Sequence, residues 1–144
     1  MAPDVRPAVA WAVIACLLIA LAAGCGGSSP QASSGRSVKV TERDFKIKAP
    51  QRIPAGRTSF AVDNLGPIRH ELIVAHETKG GPPIAADGID VDEEGLEDAE
   101  VEELEPQEPG VHTLHLNLKP GRYVLLCNMS GHFKGGMHTE LVVR

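Results

Sequence analysis

The stretch YVLLCNMSGHFKGGMHTELVV covers residues 123–143 and holds the residues that decide the fold. Two apolar segments flank a glycine-rich loop that carries Cys127, His132 and Met137. The spacing of five residues between neighbours places a thiol, an imidazole and a thioether on one short loop. Soft donors of these types are those that bind copper and other transition metals, so the loop predicts a metal site.

A second histidine is needed to complete such a site, and His70 at the start of the apolar segment ELIVA is the best candidate. Taken singly, each candidate is more often structural: a buried thiol, a core methionine or a surface histidine. Together, two imidazoles, one thiolate and a distant thioether form the ligand set of a type 1, or blue, copper site. Zinc is a weaker alternative, because it prefers a fourth nitrogen, thiolate or carboxylate ligand.

The rest of the chain predicts strands. Apolar and polar residues alternate in four segments, which are VKVTERDFKIKA, TSFAVDN, HELIVAH and HTLHLNL, and two further candidate strands, RYVLLC and HTELVV, follow them. Turn sequences such as IPAGR, NLGP and KPGR separate them. Short alternating strands between turns predict an all-β sandwich or barrel.

The turn KPGR predicts a hairpin whose register follows from the apolar pattern. Pairing Leu118 with Tyr123 places Leu114 opposite Cys127. Three side chains of each strand then share one face, because side chains alternate with a period of two. Cys127 is therefore expected to point inward at the end of a buried strand.

Residues 1–24 predict a signal peptide, because Arg6 precedes an apolar run, residues 8–23, that is too short for a confident membrane span. The sequence LAAGC, which ends at Cys25, resembles a bacterial lipoprotein box. That resemblance implies cleavage before Cys25, lipidation of its thiol, and an exported protein anchored to the outer face of the cell membrane. Simple secretion after cleavage before Ser28 is the alternative.

The segment that follows, residues 25–37, predicts a lipidated flexible tether, so the folded domain is expected to span residues 38–144. Cys16 lies in the predicted signal peptide and Cys25 carries the predicted lipid. Cys127 is then left without a partner for an internal disulfide. A free thiol in an oxidising compartment is expected to be buried or bound to something.

Charge is segregated along the chain. Twelve of the nineteen acidic residues lie in residues 87–108, so the rest of the predicted mature chain is basic. This acidic segment belongs to an insertion, residues 80–110, that predicts a solvated loop or one short helix with Leu96, Val101 and Leu104 turned inward. A docking surface for a basic partner is the functional alternative. The spacing does not give the ordered ligand pattern of a calcium-binding loop.

The segments NLGPIRHEL and KPGRYVLLCNMSGHFKGGMHTELVV resemble the cupredoxins, and the resemblance extends over residues 38–144. It implies a Greek-key β-sandwich and one type 1 copper ion held by His70, Cys127, His132 and Met137. The Cys-x4-His-x4-Met spacing is similar to that of the auracyanin, rusticyanin and sulfocyanin members, and is longer than the plastocyanin loop.

Two positions depart from the family pattern. Gly131 stands where plastocyanins commonly have proline, and Glu71 follows the first histidine, where asparagine is frequent. Asn128 and Asn64 are then the candidates to donate a hydrogen bond to the cysteine sulfur. The family also implies that His132, on an exposed loop, is the edge where electrons enter.

The function implied by the resemblance is that of a monomeric, membrane-anchored one-electron carrier that meets its redox partners transiently and is not an enzyme. A single available cysteine excludes a binuclear copper site, and the length excludes multidomain copper oxidases. Copper delivery, and partner docking with incidental copper, stay open as alternatives. Scattered basic residues and few aromatic side chains exclude nucleic-acid binding.

Overall fold

The structure, a computed structural model, describes residues 35–96 and 98–144, without the side chains of Glu100 and Val101. Within these residues, nine strands and one short helix follow one another along the chain. They are β1 (Arg36–Arg43), β2 (Lys46–Lys48), β3 (Arg52–Ile53), β4 (Gly56–Asn64), β5 (His70–His76), α1 (Glu93–Leu96), β6 (Glu100–Gln107), β7 (Gly110–Leu118), β8 (Gly121–Leu126) and β9 (His138–Val143).

The strands form two sheets, as the sequence predicted. The first sheet has the order β2-β1-β4-β7 and the second β3-β9-β8-β5-β6. Two pairs are parallel, β1 with β4 and β3 with β9, and the other pairs are antiparallel. The all-β prediction is therefore confirmed, and both sheets are mixed.

The predicted pairing of the two strands around KPGR is wrong. β7 belongs to the first sheet and pairs with β4, whereas β8 belongs to the second and pairs with β5 and β9. The turn carries the chain from one sheet to the other. The predicted inward faces are nevertheless right: Leu114, Leu118, Tyr123 and Cys127 all belong to one buried cluster between the sheets. An alternating pattern reports which face is buried, and both a hairpin and a sheet-to-sheet turn satisfy it.

The first predicted strand is also divided. Asp44 and Phe45 form a turn between β1 and β2, so Phe45 is about half exposed instead of facing the core. Ile47, on β2, is buried as expected. β1 already includes Arg36 and Ser37, which the sequence had placed in the tether.

The acidic segment is ordered in a way that the sequence did not predict. A four-residue helix, α1, is followed by β6, which adds to the edge of the second sheet beside β5. The predicted short helix is present but ends at Leu96, so its expected extension to Val101 and Leu104 is wrong. Pro106 within β6 explains part of the result, because proline breaks a helix but is tolerated on an edge strand. Leu96 is fully buried, and Leu104 packs against the main core.

The acidic segment also explains why β5 is buried on both faces. Leu72 and Val74 face the main core, while Ile73 and Ala75 form a second cluster that includes Leu96. The α1 region thus covers the outer side of the second sheet, and HELIVAH reads as an apolar run rather than a simple alternation.

α1 has four residues, so no helix in the described part of the chain is long enough to cross a membrane. The predicted signal peptide, residues 1–24, and the predicted lipidation site, Cys25, lie outside the described residues.

Candidate metal centre

The four predicted ligands come from two neighbouring parts of the second sheet. His70 is the first residue of β5, Cys127 directly follows β8, and Met137 directly precedes β9. His132 lies in the loop between them. Because β5 and β8 are antiparallel neighbours, the start of the first and the end of the second meet at the same end of the sheet.

Backbone hydrogen bonds close the loop of residues 127–137. The Cys127 N–H donates to the Met137 carbonyl over 3.1 Å, and the Met137 N–H donates to the His132 carbonyl over 3.0 Å. The His132 N–H in turn donates to the Met129 carbonyl over 2.8 Å. All three residues predicted on the loop are therefore held by main-chain contacts that do not depend on a metal.

The structure brings His70, Cys127 and His132 together. One donor atom from each lies within 4.8 Å of the others, and no other described group of three His, Cys, Asp or Glu residues is placed to hold an ion. The Cys127 Sγ lies 3.4 Å from His132 Nδ1, and the two imidazole centroids are 5.1 Å apart. Met137 is fully buried in the same core cluster as Cys127.

His70 is buried without a hydrogen-bond partner at either ring nitrogen. Its Nε2 lies 3.2 Å from Asp44 Oδ1, which is within ion-pair distance but is not aligned as a hydrogen bond. Burial lowers the pKa of His70, and the neighbouring His132 lowers it further, while Asp44 acts in the opposite direction. A neutral imidazole with free nitrogens is the form that binds a metal ion.

Burial raises the pKa of the Cys127 thiol to about 11. Backbone hydrogen bonds from Glu71 and Met129 to the sulfur act in the opposite direction, and the charges of Glu71 and Glu42 raise the pKa again. Without a cation, this environment therefore favours the protonated thiol. A metal ion would replace the proton, since the thiolate is the form that ligates.

The hydrogen bonds to the Cys127 sulfur come from the backbone and not from the asparagine side chains that the sequence predicted. The Asn64 amide donates to the carbonyls of Ile68 and Gln107, and the Asn128 amide donates to the Val91 carbonyl and the Glu93 carboxylate. The expectation of an asparagine donor is wrong, because each amide is already used in holding a loop. The main chain of the residue after His70 makes the contact instead, and it does so whatever side chain stands there.

Two buried carboxyl groups lie close to the thiol. Glu42, at the end of β1, is fully buried with an unpaired Oε1, and burial followed by the charge of Glu71 raises its pKa to about 8. Burial likewise raises the pKa of Glu71 to about 7, although the Asn128 N–H donates to its carboxylate. Both groups are more readily protonated than ordinary carboxyl groups, which limits negative charge near Cys127.

The acidic segment braces the metal-binding loop. Asp90 accepts a hydrogen bond from the Gly131 N–H over 2.8 Å, and the Gly88 carbonyl accepts one from the Lys134 ammonium over 3.0 Å. Asn128 is bonded to both Val91 and Glu93. Part of the segment therefore has a structural function, which the sequence did not indicate.

The donor set fits one type 1 copper ion. Two imidazoles and one thiolate lie together, with a buried thioether on the same loop, and His70 has nitrogens that nothing else occupies. Thiolate and imidazole donors are suited to both oxidation states of copper, and His2Cys sites with a weak axial methionine are typical of blue copper. Zinc is less well matched, since the fourth donor is a thioether.

No protein-family model matches the sequence, and no curated protein is significantly similar to it. Solved structures do match. Reduced auracyanin from Roseiflexus castenholzii superposes with a TM-score of 0.56 at 16% identity, over 76% of this chain and 98% of its own. Rusticyanin from Thiobacillus ferrooxidans superposes with a TM-score of 0.58 at 19% identity, over 77% of this chain and 79% of its own. Auracyanin A from Chloroflexus aurantiacus, a "blue" copper protein, superposes with a TM-score of 0.55 at 14% identity, over 75% of this chain and 98% of its own.

The chain has the cupredoxin fold. This confirms the β-sandwich that the sequence predicted. The other four described histidines lie in different contacts. The His76 ring packs against Tyr123, the His138 ring packs against Phe133, His115 is hydrogen-bonded to the Ser59 hydroxyl, and His112 to the Glu108 carbonyl. None of these four belongs to the group of His70, Cys127 and His132.

The loop that carries His132 has exposed residues on both sides of it, as expected, but His132 itself is only 7% accessible. The Phe45 ring meets it edge-on with centroids 5.5 Å apart. That electrons enter at His132 stays a prediction. Sequence reasoning missed both Phe45 and Asp44, because it treated them as part of one continuous strand. Met129, on the same loop, packs against the main core.

Proposed function

We propose that this chain binds one type 1 copper ion through His70, Cys127, His132 and Met137 and carries single electrons. The observation that supports this most strongly is the convergence of three buried donors, one of which has no hydrogen-bond partner. Buried polar groups are normally paired, so an unpaired buried imidazole favours a ligand in its place. The copper proteins among the structural neighbours support the same proposal.

Each residue has a separate part in this proposal. Cys127 supplies the thiolate, while His70 and His132 supply the two imidazole nitrogens that complete the plane. Met137 supplies a weak axial thioether, which affects the balance between the oxidation states. Copper, when bound, supplies a one-electron couple. The protein holds the donors in place before the ion arrives and keeps water away from them.

Rigid placement is what separates an electron carrier from a metal-delivery protein. The loop is closed by main-chain hydrogen bonds and braced by Asp90 and Asn128, so the donors need to move little when the charge on the ion changes. A delivery protein needs donors that exchange readily. The burial of Cys127, His70 and Met137 disfavours that function.

Transient partner contact is proposed at the same end of the domain. Phe45, Leu65 and Ile68 are large apolar side chains with 52%, 45% and 45% of their surface exposed. Phe45 touches His132, and the other two lie on the connection between β4 and His70. A small apolar surface close to the ion suits complexes that form and separate quickly.

The test is voltammetry of the copper-loaded domain, residues 35–144, together with a chelator challenge. The carrier proposal expects a reversible one-electron wave and slow loss of copper to a chelator in excess. An irreversible wave with rapid transfer of the metal would instead favour copper delivery. Partner docking through the acidic segment, with incidental copper, is the other alternative. If it holds, replacing the exposed Glu102 and Glu105 by glutamine should abolish partner binding while the voltammetric wave stays unchanged.

We also propose that the protein is exported and is anchored to the outer face of the membrane through a lipid on Cys25. The sequence LAAGC supports this, together with the free thiol that the predicted cleavage leaves. Cys25→Ser in the full chain is expected to move the protein from the membrane to the soluble fraction and to abolish incorporation of labelled fatty acid. Unchanged membrane association of the variant would contradict the lipid anchor.

A further inference from the structure

Two consecutive residues, Asp44 and Phe45, each contact one of the two histidines of the metal centre. Both lie in the turn between β1 and β2, which belongs to the opposite sheet from the metal-binding loop. The Asp44 Oδ1 lies 3.2 Å from His70 Nε2, and the Phe45 ring meets the His132 ring edge-on at 5.5 Å. We propose that this turn is an outer clamp on both histidines, in which Asp44 orients His70 and Phe45 seals His132.

The backbone of the turn supports this proposal. Phe45 has a φ of 60° and is the one non-glycine residue with positive φ among those that the structure describes. This conformation is unfavourable for a side chain with a Cβ, at a cost of about 1–2 kcal/mol. Nearly half of the surface of Phe45 is buried at the same time. An unfavourable backbone that brings an aromatic ring onto His132 points to a positional requirement rather than to turn formation alone.

Two glycines leave the space that the clamp occupies. A Cβ at Gly66 would lie 2.7 Å from His70 Nε2 and 2.9 Å from Asp44 Oδ1. A Cβ at Gly135 would overlap the Phe45 ring. Neither glycine has a positive φ, so space rather than backbone conformation is what these positions need. The Asp44–His70 contact therefore requires glycine at position 66, and the position of the Phe45 ring requires glycine at position 135.

The Asp44 contact has a chemical consequence for His70. A metal-binding histidine usually donates its second ring N–H to a carboxylate or carbonyl, which fixes the tautomer and the ring orientation. Asp44 Oδ1 lies 3.2 Å from Nε2, close enough to accept such a bond after a small reorientation, although the contact is not aligned as one in the metal-free site. An ion bound at Nδ1 would then leave the Nε2 proton directed at the carboxylate. Asp44 is therefore a positioning residue, and its carboxylate also brings a negative charge that favours Cu(II) over Cu(I).

The Phe45 contact has a different consequence. His132 is the predicted ligand nearest to solvent on the loop, and 7% of it remains accessible. The ring of Phe45 covers it from one side while presenting its own outer face to solvent. Phe45 thus excludes water and small competing ligands from His132, and an approaching partner would touch Phe45 before it reached the histidine.

This inference rests on the proposed copper site, so its test has one readout that needs no metal. In the metal-free domain, nitrogen NMR is expected to show a single Nε2–H tautomer at His70 that becomes mixed in Asp44→Ala. Carbethoxylation of His132, followed by mass spectrometry, is expected to be faster in Phe45→Ala. Asp63→Asn and Val111→Ala, an ion-paired carboxylate on β4 and an exposed apolar residue on β7, are the matched controls.

With copper, Asp44→Ala is expected to weaken Cu(II) binding by about ten- to a hundredfold, the usual effect of losing such a carboxylate. Asp44→Asn retains an acceptor oxygen and is expected to lose less. Phe45→Ala is expected to speed copper loss to a chelator, whereas both controls match the wild type. If the variants and controls behave alike in all these measurements, the clamp is wrong. If the wild-type domain binds no copper, the proposed function fails, and the metal-free readouts still decide the clamp.

Discussion

The side-chain amide of Asn128 pairs with the backbone of Val91 in both directions. Its Oδ1 accepts from the Val91 N–H over 2.6 Å, and its Nδ2 donates to the Val91 carbonyl over 3.0 Å. A further bond reaches Glu93 Oε1 over 2.8 Å. One residue of the metal-binding loop thus holds the acidic segment as a strand partner would.

Asn128→Ala is expected to destabilise the domain by about 1–3 kcal/mol, because it leaves the partly buried Val91 backbone groups without partners. Copper is also expected to leave more quickly, since the loop between Cys127 and His132 loses its brace. Urea unfolding and the rate of copper loss to a chelator measure the two effects. Asn117→Ala, on β7, is a control in which neither quantity should change to the same extent. A fully stable Asn128→Ala domain would show that the bridge is dispensable.

Glu42 provides a pH-dependent prediction. Its pKa is raised to about 8 in the folded state, from 4.5 for the ordinary group. Between these values the folded chain keeps a proton that the unfolded chain has lost, so unfolding stability falls as pH rises, by about 1.4 kcal/mol per pH unit at most for this group. A glutamine at this position is neutral in both the folded and the unfolded chain, so Glu42→Gln should not show this fall in unfolding free energy with pH.

The difference in unfolding free energy between Glu42→Gln and wild type is therefore expected to move in favour of the variant from about pH 5 to pH 8, and then to level off. Chemical denaturation at several pH values measures it. Glu94→Gln, on the exposed face of α1, serves as a control for the loss of one negative charge. A difference that does not vary with pH would contradict the raised pKa of Glu42.

Gly131 provides a conformational prediction. Its φ of 79° lies in the left-handed region, and a Cβ at this position would meet nothing within 4 Å. Gly131→Ala is therefore expected to cost about 1–2 kcal/mol through the backbone alone, and Gly131→Asn less, because asparagine tolerates this region. Gly131→Pro should be worst, since proline fixes φ near −65°. Thermal unfolding ranks the three variants, and equal losses for alanine and asparagine would exclude a backbone origin.

Met137 provides a prediction about the redox balance. Met137→Leu retains the apolar packing of a fully buried side chain but removes the thioether. The copper potential is expected to rise, because a weak donor to Cu(II) is lost, while the site still binds the ion through the other three residues. Each tenfold change in the ratio of the two binding constants corresponds to about 59 mV in voltammetry. An unchanged potential would show that Met137 is not a ligand.

The sequence allowed the fold class and the candidate site to be predicted because both depend on local patterns. Apolar patterns between turn sequences identified six segments that form strands, and the spacing of Cys127, His132 and Met137 identified the loop. The structure brings His70 to Cys127 and His132, as the resemblance implied. Ligation by the four residues remains a prediction that the variants above test.

The remaining features depend on contacts between distant parts of the chain. Nothing near Pro120 shows whether its turn joins strands of one sheet or of two. Similarly, residues 100–107 form a strand because they pair with the free edge of β5, a contact that their own sequence does not show. The Asp44–Phe45 turn is marked in the sequence only by a change of phase, since Phe45 and Ile47 are out of step with Val40 in a period-two pattern. That change does not show that the two turn residues contact the histidines, which lie in distant parts of the chain.

The optical spectrum of the domain after one equivalent of Cu(II) is added, followed by ascorbate, tests the type 1 copper site at Cys127 most directly. We expect an intense visible thiolate-to-copper band that bleaches on reduction and returns on reoxidation. Cys127→Ser should lose this band, while Cys25→Ser in the full chain keeps it. A weak, pale-blue spectrum in the wild-type domain, or an intense band that survives Cys127→Ser, would contradict a type 1 copper site at Cys127.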